Sequence, residues 1–160
     1  MDGHASNISM CNQLGCELKG KPSEPLKTFV HPVNVAERVF VVMDACHMLK
    51  LSRNMLQSYS PITSSTGQIN WDYITSTHLN SVQREVGLHA ANKVTDKHIY
   101  FDTQKMKVCL AAQTLSRSVA VALRTLRDLG YQQFTHCEAT AEFIELLQYY
   151  MQHCSVILHF

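Results

Sequence analysis

The spacing of apolar and polar residues changes character near residue 44. Before it, Ala5 to Leu14 can form one short helix ended by Gly15, whose missing Cβ suits a left-handed cap. Residues 19–36 carry three of the four prolines and little periodicity, and read as a loop around a weak strand at Lys27–Val30. Arg38 to Met43 is a continuous apolar, β-branched run of strand length, as in a central strand covered on both faces. One helix and one or two strands cannot close a sheet or cover its faces. Residues 1–43 therefore predict the edge of a larger α/β unit.

From Cys46 onward the pattern is helical. Met48, Leu49, Leu51, Met55 and Leu56 give a first apolar face that ends near Pro61, and 60–69 reads as a Ser/Thr/Gly/Pro loop. Asp44 just before this helix reads as its N-cap. A second helix is expected from about Trp71 to Val86, and a long one from about Thr103 to Leu129, capped by Asp102 and stopped by Gly130. On the long helix Val108, Ala111, Leu115, Val119, Ala122, Leu126 and Leu129 step by 3 or 4, which is one buried stripe. Thr135 and Glu138 form a capping-box pattern ahead of a last helix bearing Phe143, Leu147, Tyr150 and Cys154. Four helices with short loops can pack as a bundle. The fold class expected is thus mainly α, preceded by a partial α/β segment.

Composition narrows the classes available. The chain has 160 residues, 46% hydrophobic and 17% charged, with 14 Lys+Arg against 13 Asp+Glu. This excludes a disordered polyelectrolyte and a generally basic nucleic-acid coat. No apolar run approaches the about 18 residues of a membrane span, and the start lacks the basic and apolar regions of a signal peptide. An intracellular chain with no membrane partner is expected. The six cysteines then read as small apolar residues rather than a disulfide framework. No Cys/His spacing matches a zinc site, and Asp44, Cys46 and His47 are too close in sequence to face one ion from a helix.

Charge is uneven. Between Lys93 and Arg127 seven basic residues stand against Asp96 and Asp102, whereas from Asp128 onward there are four acids and no Lys or Arg. Two readings are open: solvated faces that pair across the bundle, or an anion site built from lysines. No P-loop or GxGxxG string accompanies the lysines.

Three strings go further: DGHASNISMCNQLGC at 2–16, VFVVMDACHMLKLSRN at 39–54, and GLHAANK with QKMKVCLAAQTLSRSVAVAL at 87–93 and 104–123. Together they resemble P-element-type transposases, the group that includes the THAP-domain transposases. The resemblance implies that residues 1–43 are part of an RNase H-like catalytic domain and 44–160 a helical GTP-binding insertion domain. In that family two Asp and one Glu hold divalent metal ions, Mg2+ among them, against a phosphodiester. Asp2 is similar to the second catalytic and metal-holding Asp; the first would precede Met1 and the Glu would follow Phe160. The resemblance thus implies a catalytically incomplete fragment of a nuclear DNA transposase. GTP would serve as an assembly cofactor, and transposon DNA and a full-length transposase or a second copy would be partners.

For the nucleotide, the resemblance implies contacts from Lys93, Lys107 and Val108, the last two lying on the KV pair of KMKV. Two lysines supply positive charge for a triphosphate, and Val108 can pack against an apolar part of the ligand. By residue type alone, Lys93 is equally a solvated lysine and Val108 the start of the buried stripe. Gln152 stands where family members carry an Asp suited to the guanine edge, and Ser155 where they carry Asn. Glutamine accepts a hydrogen bond without the charge or the two-oxygen geometry of a carboxylate. A second function class stays open at this point: a non-enzymatic interaction or DNA-binding module derived from a transposase.

Overall fold

The computed structural model describes residues 1, 3–16, 18, 27–75 and 94–157. Its contacts divide the chain into two compact units, Met1–Met48 and Leu49–Phe160.

In the first unit helix α1 spans Ala5–Gln13, with His4 as N-cap and Leu14 as C-cap. Gly15 follows at φ 81°, a conformation that disfavours residues with a Cβ. It lets the Cys16 amide donate to the Cys11 carbonyl at 2.9 Å and the Gly15 amide to Asn12 at 3.0 Å. This is the double bond pattern of a Schellman ending, which brings the apolar third-last and post-cap residues together. Those residues are Cys11 and Cys16, both buried. Strands β1 (Thr28–Val30) and β2 (Arg38–Phe40) pair antiparallel, Phe29 opposite Val39. The apolar run expected as a central strand over 38–43 is strand only to Phe40. Among the described residues its one partner strand is β1, so Phe40 stays 58% exposed.

Helix α2 spans Ala45–Tyr59, and the division after Met48 falls within it. Asp44 caps it, with Oδ1 accepting from the Cys46 amide at 2.9 Å. In the second unit Leu49 and Leu56 of α2 are buried, but Leu51 and Met55, expected on the same face, are 47% and 40% exposed. The buried line is instead Leu49, Arg53 and Leu56, an i, i+4, i+7 set with a guanidinium in the middle.

The stretch expected as a loop is a hairpin of β3 (Ile62–Ser64) and β4 (Gly67–Ile69), Ile62 opposite Ile69. Ser64 Oγ donates to the Gly67 carbonyl at 2.8 Å across its two-residue turn. The Ser60 hydroxyl accepts from the Trp71 amide at 2.7 Å, and Thr140 Oγ1 accepts from the Asn70 amide at 3.0 Å. The helix expected from Trp71 to Val86 opens as a 3₁₀ turn over Trp71–Tyr73, and 76–93 lies outside the described residues.

Helix α3 is one turn, Asp96–Ile99. The single long helix expected from Thr103 to Leu129 is three pieces: a 3₁₀ turn at Asp102–Gln104, α4 (Val108–Thr114) and α5 (Arg117–Asp128). Short polar side chains explain the interruption, because they bond the backbone that a continuous helix would use. Thr114 Oγ1 donates to the Leu110 carbonyl at 2.7 Å and Ser116 Oγ to Gln113 at 2.8 Å. Leu115 (ψ 41°) and Ser116 (ψ 154°) leave the helical region. The apolar stripe survives the break: Ala111, Leu115, Val119, Ala122 and Leu126 are all buried, whereas Val108 is half-buried and Leu129 exposed.

Gly130, at φ 86°, ends α5. A 3₁₀ turn (Gln132–Phe134) then drives Phe134 into the core before α6 (Glu138–Ile157). The expected capping box is not formed. Thr135 Oγ1 donates back to the Gln132 carbonyl at 2.8 Å, and the Glu138 carboxylate is taken by arginines of α5. Helices α5 and α6 bury Val119, Leu123, Leu126, Ala141 and Ile144 in one core with Phe101 and Trp71.

Candidate functional site

The segment that leads into α4 is built on α2. Phe101 is fully buried, and its ring lies 3.8 Å beneath Cζ of Arg53 and edge-on to Trp71 at 5.8 Å. The Phe101 carbonyl accepts from the Gln104 amide at 2.7 Å, and the Gln104 carbonyl from the Lys107 amide at 3.0 Å. Lys105 reaches Asp102 at 3.2 Å on the outside of this turn, while its carbonyl accepts from Arg53 Nη2 at 2.7 Å. Lys107 then sits in an extended conformation (φ −75°, ψ 108°) as the residue before α4. Its side chain is exposed and makes no ion pair among the described residues, and Val108 beside it is half-buried. The arrangement offers one unneutralised ammonium next to an apolar contact at a helix start.

Gln152 is exposed near the end of α6. It lines an open hollow of about 550 Å³ with Arg117, Glu142, Leu146 and Tyr149. Lys107 and Val108 are adjacent to each other, but neither is among the described residues lining this hollow. Asp2 and Lys93 lie outside the described residues. Among the described residues no group of three or more His, Cys, Asp and Glu could hold a metal ion.

The basic block and the acidic stretch meet between α5 and α6. Arg124 makes two bonds to Glu145, at 2.7 and 3.0 Å, and donates from Nε to Glu138 at 2.9 Å. Arg127 bonds the other Glu138 oxygen and reaches Asp128 at 2.9 Å. The bonds from Glu145 and Glu138 raise the Arg124 pKa, so it stays charged throughout the working range. The Glu138 carboxyl is held below its ordinary value near 4.5, first by the hydrogen bond from Arg124 and then by that from Arg127. Beneath the network burial pushes the Cys137 thiol up, and its Sγ donates to the Leu123 carbonyl at 3.4 Å.

A depressed folded-state pKa means that protonation favours unfolding. The contribution of Glu138 is therefore complete above the ordinary carboxyl value and is lost as pH falls through and below it. The side chain is 41% exposed, so the contribution is only about 0.5–1 kcal/mol. Thermal melts are expected to be flat between pH 7 and about 5 and to fall below about 4.5, with a shallower acid limb in Glu138→Gln. Equal acid limbs in the two proteins would remove Glu138 as a source.

Arg53 is the residue that periodicity missed. The signal was present as a charged residue on the Leu49–Leu56 line, where a snorkelling side chain would sit equally well.

Comparison with known proteins adds three findings. Residues 46–156 match the family described as TNP-like, GTP-binding insertion domain. The DNA transposase THAP9 of Homo sapiens is 28% identical over 146 residues, covering 91% of this chain but 16% of the relative. A solved structure, the Drosophila P element transposase strand transfer complex, is similar with a TM-score of 0.74 and 27% identity. The match covers 91% of this chain and 31% of that one. The chain thus spans less than a third of the length of either relative.

Proposed function

The chain belongs to the P-element-type transposase family through its TNP-like, GTP-binding insertion domain, and from that premise we propose that it binds GTP as a cofactor of DNA transposition. The observation that carries the reading is the family match over 46–156, which includes the whole α4 entry and α6 up to Val156. Lys107, exposed and without a carboxylate partner among the described residues, fits a phosphate oxygen. Val108 fits the apolar side of the ligand, and Lys93 is proposed as a second phosphate contact. Gln152 is proposed at the base. Its amide can accept one hydrogen bond from guanine, so discrimination against adenine is expected to be weaker than a carboxylate would give.

Bound GTP would supply a polyanion able to tie segments of the domain together; the lysines neutralise it and Val108 excludes water from one side. We propose residues 1–43 as part of an RNase H-like segment, with 44–160 as the insertion domain. Asp2 is proposed as the remnant of a carboxylate set whose other members belong to the longer relatives. The described residues provide no carboxylate cluster for Mg2+. Transposon DNA as a partner and a nuclear location are proposed on the likeness to the longer transposases.

Titrating the 160-residue chain with GTP and with ATP tests the reading. GTP is expected to bind in preference to ATP, and Lys107→Ala to weaken GTP about tenfold, the loss of one charge-assisted contact of about 1.5 kcal/mol. Equal affinity for the two nucleotides, or a Lys107→Ala protein that binds like wild type, would overturn it.

A further inference from the structure

We propose that Arg53 is the positioning residue for Lys107 and Val108, holding from α2 the turn that delivers them; this rests on the nucleotide reading above. Arg53 is fully buried and grips that turn at both ends. Its Cζ lies 3.8 Å from the centroid of the Phe101 ring, and Nη2 donates to the Lys105 carbonyl at 2.7 Å. Asn54 fixes the plane of the guanidinium, with Oδ1 accepting from Nε at 3.1 Å and Nη2 at 2.9 Å. The backbone turns from the first gripped residue to just past the second, Gln104 bonding back onto Phe101 and Lys107 onto Gln104. Whatever fixes Phe101 and Lys105 therefore fixes where Lys107 leaves the turn and where α4 begins.

Arg53 is ill suited to a role in stability alone. No carboxylate pairs with it among the described residues, and its buried Nη1 has no hydrogen-bond partner. Burial pushes its pKa down, and among the described residues no counter-charge offsets that cost. An apolar side chain of similar length would fill the same space without desolvating an ion. What an apolar residue cannot do is bond the Lys105 carbonyl.

Arg53→Met in the full chain separates the two roles through three readouts. Its melting temperature is expected to match or exceed that of the wild type, since a buried charge with no counter-ion is removed. Amide exchange at Gln104 and Lys107 without nucleotide is expected to quicken about tenfold or more, because the turn loses its anchor. GTP affinity is expected to fall about tenfold in the wild-type background and less than about twofold beside Lys107→Ala, since the group being positioned is then gone. Arg53→Lys, which keeps a cationic donor group, should recover affinity to within about threefold.

Unchanged exchange at Gln104 and Lys107 would overturn the proposal, as would equal losses of affinity in both backgrounds. If Arg53→Met does not fold, Phe101→Leu decides. It keeps most of the apolar volume without the aromatic face, and wild-type exchange there would overturn the proposal too. If the wild type binds no GTP, the nucleotide reading falls, while the exchange measurement still judges the grip on the turn.

Discussion

Leu126→Asp is expected to abolish the cooperative thermal transition of the 49–160 unit. Leu126 is fully buried on α5 in the core that α6 closes. An aspartate there loses about 2–3 kcal/mol of apolar burial. It also either buries an unpaired carboxylate, at several kcal/mol, or spends a comparable amount being neutralised. Typical domain stability is about 5–15 kcal/mol, so the sum removes most of it. Leu129→Asp is the matched control. Leu129 is on the same predicted stripe but 60% exposed, so its variant should melt close to wild type. A Leu126→Asp protein that still melts cooperatively within a few degrees of wild type would contradict the described seam between α5 and α6.

Phe134→Ala is expected to destabilise the same unit by about 3–5 kcal/mol, the range for removing a buried phenyl group. At this domain size that corresponds to a fall of about 12–20 °C in melting temperature. Phe134 is fully buried and stacks obliquely on Tyr73, with ring centroids 6.3 Å apart. It belongs to the 3₁₀ turn between α5 and α6, and the cavity would open where the two helices and the Trp71–Tyr73 turn converge. Phe134→Leu, which leaves a smaller void, should lose about 1–1.5 kcal/mol. Equal melting of the Ala and Leu proteins would mean that the pocket collapses around either side chain.

These variants show which parts of the fold can be read from residue order. The stripe from Ala111 to Leu126 is legible because burial follows helical periodicity, and the Asp44 cap because a short acid before a helix has one dominant use. The break at Leu115 and Ser116 is not legible. Two helices can keep one apolar phase across it, and only Thr114 and Ser116 turning on their own backbone reveal it. The hairpin was hidden because just Ile62 and Ile69 carry its apolar pair among Ser, Thr and Gly. Glu138 looked like a capping residue, but partners from another helix outbid a local bond: Arg124 and Arg127 hold both its oxygens. For the candidate site, KMKV points to Lys107 and Val108 through resemblance alone, whereas Arg53 touches residues 48 and 52 positions away that no local pattern encodes.

The arginine network between α5 and α6 also bears on how this domain would meet a polyanion. Of the block that looked basic in sequence, Arg124, Arg127 and Lys105 have carboxylate partners of their own. That leaves Lys97, Lys107 and Arg117 as its described cations without one, beside Lys93 outside the described residues. Each phosphate neutralised on duplex DNA releases about 0.9 of a condensed counterion, so those three could contribute a log–log slope of only about −3. A DNA grip much steeper than that would have to draw its charge from outside these three residues.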